Sequence, residues 1–159
     1  MEIEKFAYSS IIFDSKPDAV PFNYRLSYKI GQLCLIISSN TRGGTSLYKI
    51  HMLSIAMFSE EEKQKLFTFC NFSDPFFVIR FDPSVNRTIL FALFDGLIIQ
   101  QNNGLFKLTD KGKLLSGLIK EDLNVFIGEK LFLQDISNTL TEAKIKNLKT
   151  KWGGINVTS

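Results

Sequence analysis

Apolar positions change their spacing twice between residues 85 and 120. Val85, Ile89 and Leu93 recur every four residues and predict a helix over residues 84–95, with Gly96 placed to end it in the left-handed conformation. Residues 97–100 and 105–108 are short strand-like runs. Between them, Gln101, Asn102, Asn103 and Gly104 carry an Asn-Gly pair that tolerates positive φ, so the two runs are predicted to close a β-hairpin. Thr109 then caps a helix whose Leu114, Leu115, Leu118 and Ile119 share one face.

Outside this stretch the pattern is mostly helical. Residues 22–38 place Leu26, Ile30, Leu33 and Ile37 near helical spacing, although Leu35, Ile36 and Ile37 read equally well as the end of a strand. Residues 39–44 form a loop by composition. Thr45 or Ser46 caps a helix to about residue 58, with Leu47, Ile50, Ser54 and Met57 on one stripe. Ser59 and Glu62 have capping-box spacing and open another helix to about residue 70. Ser73, Asp74 and Pro75 break the chain, and the β-type run FFVIRF at residues 76–81 is expected to join the hairpin as a third strand. Asp82 caps the next helix, with Pro83 at its first position, where a missing N–H costs nothing. Residues 123–136 show little period. Thr139 or Thr141 opens a last helix to about residue 151, where Leu140, Ala143, Ile145 and Leu148 give a partial apolar stripe among Lys144, Lys146, Lys149 and Lys151.

The expected fold class is therefore α+β and predominantly helical. The residues FDGLI followed by KLTDKG resemble the wing of the winged helix-turn-helix superfamily. That resemblance implies a winged-helix-like core over residues 22–122 and a helical extension over 123–152. Residues 1–21 precede them as a segment without clear period, and 153–159 are expected to form a flexible tail.

Composition narrows the setting. With 159 residues, 45% of them hydrophobic and 15 of them Phe, the chain has material for one well-packed domain. No run approaches the ~20 apolar residues of a membrane span, and the first residues lack a basic flank with an apolar signal core. A cytoplasmic protein without membrane contact is expected. Cys34 and Cys70 stand in apolar surroundings without metal-ligand spacing and suit buried reduced thiols. A net charge of +3 permits nucleic-acid contact without demanding it.

The candidate sites are few. In a DNA-reading winged helix, the helix before the wing enters the major groove. Here Asn86 and Arg87, wing-tip residues Asn102 and Asn103, and nearby Lys107, Lys111 and Lys113 are the candidate DNA contacts. Residues 89–94 of that helix are apolar around most of its circumference, which favours cover by a protein partner. The Arg42-Gly43-Gly44-Thr45-Ser46 segment meets a helix start and is a candidate anion site, but it lacks the lysine of a P-loop. Its Asn40, Arg42 and Lys49, taken as exposed, are candidate partner contacts. His51, the only histidine, has no nucleophile to activate and reads as structural. Glu60, Glu61 and Glu62 mark a helix start, and no acidic or histidine cluster suggests a metal. No catalytic constellation, cofactor or small-molecule substrate is expected.

The segments LCLIISSNTRGGTSLYKIHML, PFFVIRFDPSVNRTILFALFDGLI, KLTDKGKLLSGLIK and TLTEAKIKNLKTKW together resemble the middle component of bacterial three-component ABC systems, the Lamassu-type anti-phage defence family. The resemblance implies a non-enzymatic subunit that sits on a coiled-coil ABC ATPase of the SMC and Rad50 type, beside an effector that is commonly a nuclease. It adds Leu140, Leu148 and Trp152 of the last helix as expected partner contacts, with Leu140→Asp and Leu148→Asp expected to leave the fold intact. The alternative is a stand-alone winged-helix transcription regulator.

Overall fold

A computed structural model describes residues 25–40 and 42–155. The expected segment at residues 1–21 and the end of the tail lie outside the described residues. The elements run α1 (Leu26–Ser39), α2 (Leu47–Ala56), α3 (Glu60–Phe72), α4 (Pro83–Phe94), β1 (Ile98–Gln100), β2 (Phe106–Leu108), α5 (Asp110–Glu121), α6 (Ile127–Ile136) and α7 (Glu142–Ile155).

α1 is the axis of the molecule. Its residues from Gly31 to Ile37 are all buried, and α2, α4, α5, α6 and β2 touch it. Burial on every side is why Leu35, Ile36 and Ile37 read ambiguously: a helix covered all round shows no stripe. Gly31 admits the Phe126 ring, whose nearest atom would lie 2.7 Å from an added Cβ, and Phe126 stacks on Tyr28 with centroids 4.9 Å apart.

Helix starts follow the capping residues. The hydroxyls of Ser46, Ser59, Thr109 and Thr141 accept from the backbone N–H groups of Lys49, Glu62, Gly112 and Lys144, and the Asp82 carboxylate accepts from Ser84 N–H. α6 has no such signal. Phe126 precedes it in the left-handed conformation at φ +52° without a side-chain cap, yet Phe132, Leu133 and Ile136 form its buried stripe. α7 continues through residues 153–155, where a tail was expected, since glycine weakens a helix by only about 1 kcal/mol per residue.

The hairpin is antiparallel, with Ile98 opposite Leu108 and Gln100 opposite Phe106. Gly104 takes φ +83° and its N–H donates to the Gln101 carbonyl, closing the turn. The third strand position is not residues 76–81. Thr45 fills it, its N–H and carbonyl both bonded to Phe106 at 2.9 Å on the outer side of β2. Residues 76–81 run unpaired over α2 and α3. Phe77 stacks on Phe69 at 4.8 Å, Ile79 is buried, and Arg80 pairs with Glu62. Branched and aromatic side chains suited a half-buried surface, and here a helix pair supplies it.

α5 departs from its expected seating. Its close approach runs through Gly112, where an added Cβ would lie 2.0 Å from the Leu97 carbonyl oxygen, and through buried Ser116. Leu114 and Leu118 are consequently exposed, while Leu115 and Ile119 pack against the core.

Candidate functional site

Two surfaces involve the α4–hairpin–α5 unit. The first is the outer face of α4. Val85, Thr88, Ile89 and Ala92 face inward. Arg87, Leu90, Phe91 and Phe94 follow at helical spacing on the other side, with Leu90 65%, Phe91 52% and Phe94 94% exposed. A large aromatic ring almost wholly in water, beside two other apolar side chains, is the kind of patch that marks an interaction surface.

The second surface is a cleft of about 460 Å³ lined by the end of α1, Gly43 and Gly44, β2 and α5. Lys107, Lys113 and Lys120 border it, and among the described residues no carboxylate does. Gly44 is required there: φ is +109°, and an added Cβ would stand 2.7 Å from Gln101 Nε2 and 2.9 Å from Leu105 Cβ. The Gln101 amide donates to the Gly43 carbonyl at 3.0 Å and ties the hairpin tip to this loop.

Several expected contacts are committed within the fold. Lys49, taken as exposed, is only 2% exposed. Burial pushes its ammonium below the usual lysine range, partly offset by the Glu142 carboxylate and Cys70. The candidate anion site at the start of α2 is met by this chain's own carboxylate: Glu142 Oε1 accepts from Ser46 N–H at 3.0 Å. Asn40 is half-buried and donates to the Gly44 carbonyl, closing the loop, whereas Arg42 is exposed.

Leu140, in the turn before α7, and Leu148, on the inward stripe of α7, are core residues, and Trp152 packs against the same core. The helix is held from both sides. Lys144 Nζ donates to the carbonyls of Cys70 and Thr139 at 2.9 and 2.8 Å, and Lys149 Nζ lies 3.9 Å from the centroid of the Tyr48 ring.

Among the candidate DNA contacts, Arg87, Asn102, Lys107 and Lys113 are exposed and make no ion pair among the described residues. Lys111 pairs with the Asp95 carboxylate at 3.2 Å and donates to its carbonyl at 2.8 Å, so it caps the end of α4. Asn103 Oδ1 accepts from Leu105 N–H inside the turn. Asn86 Oδ1 lies 3.0 Å from His51 Nε2, while His51 Nδ1 accepts from Asp82 N–H at 3.2 Å, which assigns the ring proton to Nε2. Burial lowers the affinity of this imidazole for a second proton, against smaller opposite pulls from Asn86 and Asp82. His51 is thus a structural strut between α2 and the start of α4.

Cys34 and Cys70 are free and buried, and burial raises both thiols to about 11. A further concavity of about 720 Å³ lies between α3 and residues 74–80, and its Glu62 and Arg80 are spent on each other. Among the described residues no cluster of three or more metal-ligating side chains occurs, and no helix is long and apolar enough to cross a membrane. Lys120, missed from the sequence, stands seven residues after Lys113, a spacing that puts both on one helix face. No protein-family model, curated protein or solved structure matches this chain.

Proposed function

We propose that this chain is a non-catalytic accessory subunit of a bacterial anti-phage and anti-plasmid defence complex. In this reading a winged-helix core docks on an SMC/Rad50-like coiled-coil ABC ATPase and holds an effector such as a nuclease. The observation that carries it is the outer face of α4, where Leu90, Phe91 and Phe94 present an apolar stripe at the position a DNA-reading helix would fill with polar side chains. The chain order supports the core: α1, the Thr45 bridge, α2, α4 and the β1–β2 hairpin follow the winged-helix sequence, with α3 as an insertion. The family assignment rests on the sequence resemblance.

The test is co-purification of the tagged chain with the products of its flanking genes. Leu90→Asp with Phe94→Asp should release a coiled-coil ATPase retained by the wild type while leaving the melting temperature within about 2 °C, since both side chains are already in water. Retention of the partner by this variant would remove the α4 face from the interface. A chain that purifies alone and selects its own upstream DNA over competitor would instead establish the transcription regulator.

A further inference from the structure

We propose that the lysine-bordered cleft beside β2 and α5 is a sequence-independent track for the phosphodiester backbone of nucleic acid. It shares Lys107 and Lys113 with the candidate DNA contacts considered above but lies away from the helix that a DNA reader would insert, because no residue of α4 lines it.

Three observations converge. Lys107, Lys113 and Lys120 make no ion pair among the described residues, whereas Lys63, Lys65 and Lys111 each pair with a carboxylate. Like charges gathered without a counter-charge repel, and an anion relieves that repulsion. The floor between them is open: Gly117 lies between Lys113 and Lys120 on the cleft face of α5, and a Cβ there would meet nothing within 4 Å. A second cleft adjoins it. This cleft of about 430 Å³ shares Ser38 and Lys120 with the first and is bordered by Lys130, whose ammonium donates to the Asp122 carbonyl, with no carboxylate in its lining among the described residues.

A row of cations along two adjoining clefts suits a polyanion better than a single phosphate. Lys113 and Lys120 are about 10 Å apart along the helix axis. No aromatic side chain lines either cleft, so the base stacking that single-strand binders use is absent and contact is confined to the backbone. Gly43, Gly44, Gly117 and Ser38 in the lining let a strand approach the protein main chain. An acidic protein segment would present the same sign of charge, but without a regular spacing to match a row of lysines.

The test uses the full chain without partners, so its outcome is independent of the assembly proposed above. Fluorescence anisotropy is measured with a labelled short duplex of arbitrary sequence across a salt series. Binding should weaken with salt at a log–log slope of about −3, as expected when three lysines each neutralise one phosphate. Changing Lys107, Lys113 and Lys120 together to Glu, or in a second variant to Gln, should lower affinity at least about tenfold and flatten the slope. The same charge reversal at Lys146, Lys149 and Lys151 on α7 serves as the control and should cost less. The track is overturned if the wild type fails to bind at the lowest salt, or if the two reversals weaken binding equally. It is also overturned if inorganic phosphate displaces the duplex beyond what chloride does at equal ionic strength, which would mark a single-phosphate pocket.

Discussion

His51 shows how a single side chain ties two elements together and what that costs in acid. Its Nε2–H reaches Asn86 on α4 and its Nδ1 receives Asp82 N–H, so both ring nitrogens are engaged only while the ring is neutral. The unfolded chain takes up a proton near the ordinary histidine value of 6.5, and the folded chain resists it. Stability from this group is therefore complete above pH 6.5 and declines below it, by at most about 1.4 kcal/mol per pH unit. Urea midpoints between pH 7.5 and 5.5 should fall for the wild type, and His51→Gln should give a lower but flatter profile. Glu62, held below the usual carboxylate range mainly by its bond to Arg80, loses its contribution only as pH falls through and below its ordinary 4.5, outside that window. Leu140 and Leu148 give a second prediction at this scale. Both are fully enclosed, so Leu148→Ala should destabilise by about 2–5 kcal/mol in denaturant unfolding, and Leu148→Asp should leave little soluble chain. Neither residue was recognisable as core from its position on a short stripe crowded by lysines. The same stripe on a partner-facing helix would look identical.

At the level of elements, the Gly43-Gly44 turn separates backbone freedom from close packing. Both residues have positive φ, but only Gly44 also lies against neighbours, namely the Gln101 amide, Leu105 Cβ and the Phe106 carbonyl. Gly43→Ala should cost about 1 kcal/mol from conformation alone. Gly44→Ala should cost more and should loosen the Thr45–Phe106 bridge, visible as faster amide exchange at Phe106. Most element boundaries were legible because they are written locally: a hydroxyl or carboxylate at the cap, proline at the first turn of α4, glycine at its end and in the hairpin. The failures are as local. α6 lacks a cap signal, and residues 76–81 have the side chains of a strand without a strand beside them.

The described residues leave apolar area on α4, at Phe72, Phe76 and Val78, and, around Leu114 and Leu118 of α5, over a cleft of about 470 Å³ that also includes Ile30 and Leu97. An isolated chain with such surfaces should associate with itself as concentration rises, and Phe94→Ser should shift sedimentation profiles toward monomer without altering the helical circular dichroism. The sequence by itself determined the helical class, the hairpin, the capping residues and the roles of His51 and the two cysteines, because short-range sterics and hydrogen bonding decide these within a few residues. It also showed that residues 89–94 of α4 are apolar around most of the helix circumference. Only the tertiary structure decided that Thr45 fills the third strand position, that Glu142 occupies the start of α2, that Lys49 is buried, and that Lys107, Lys113 and Lys120 border one cleft. Each of these depends on which distant segment arrives at a given face, and α1, surrounded by four helices and a strand, sets those arrivals.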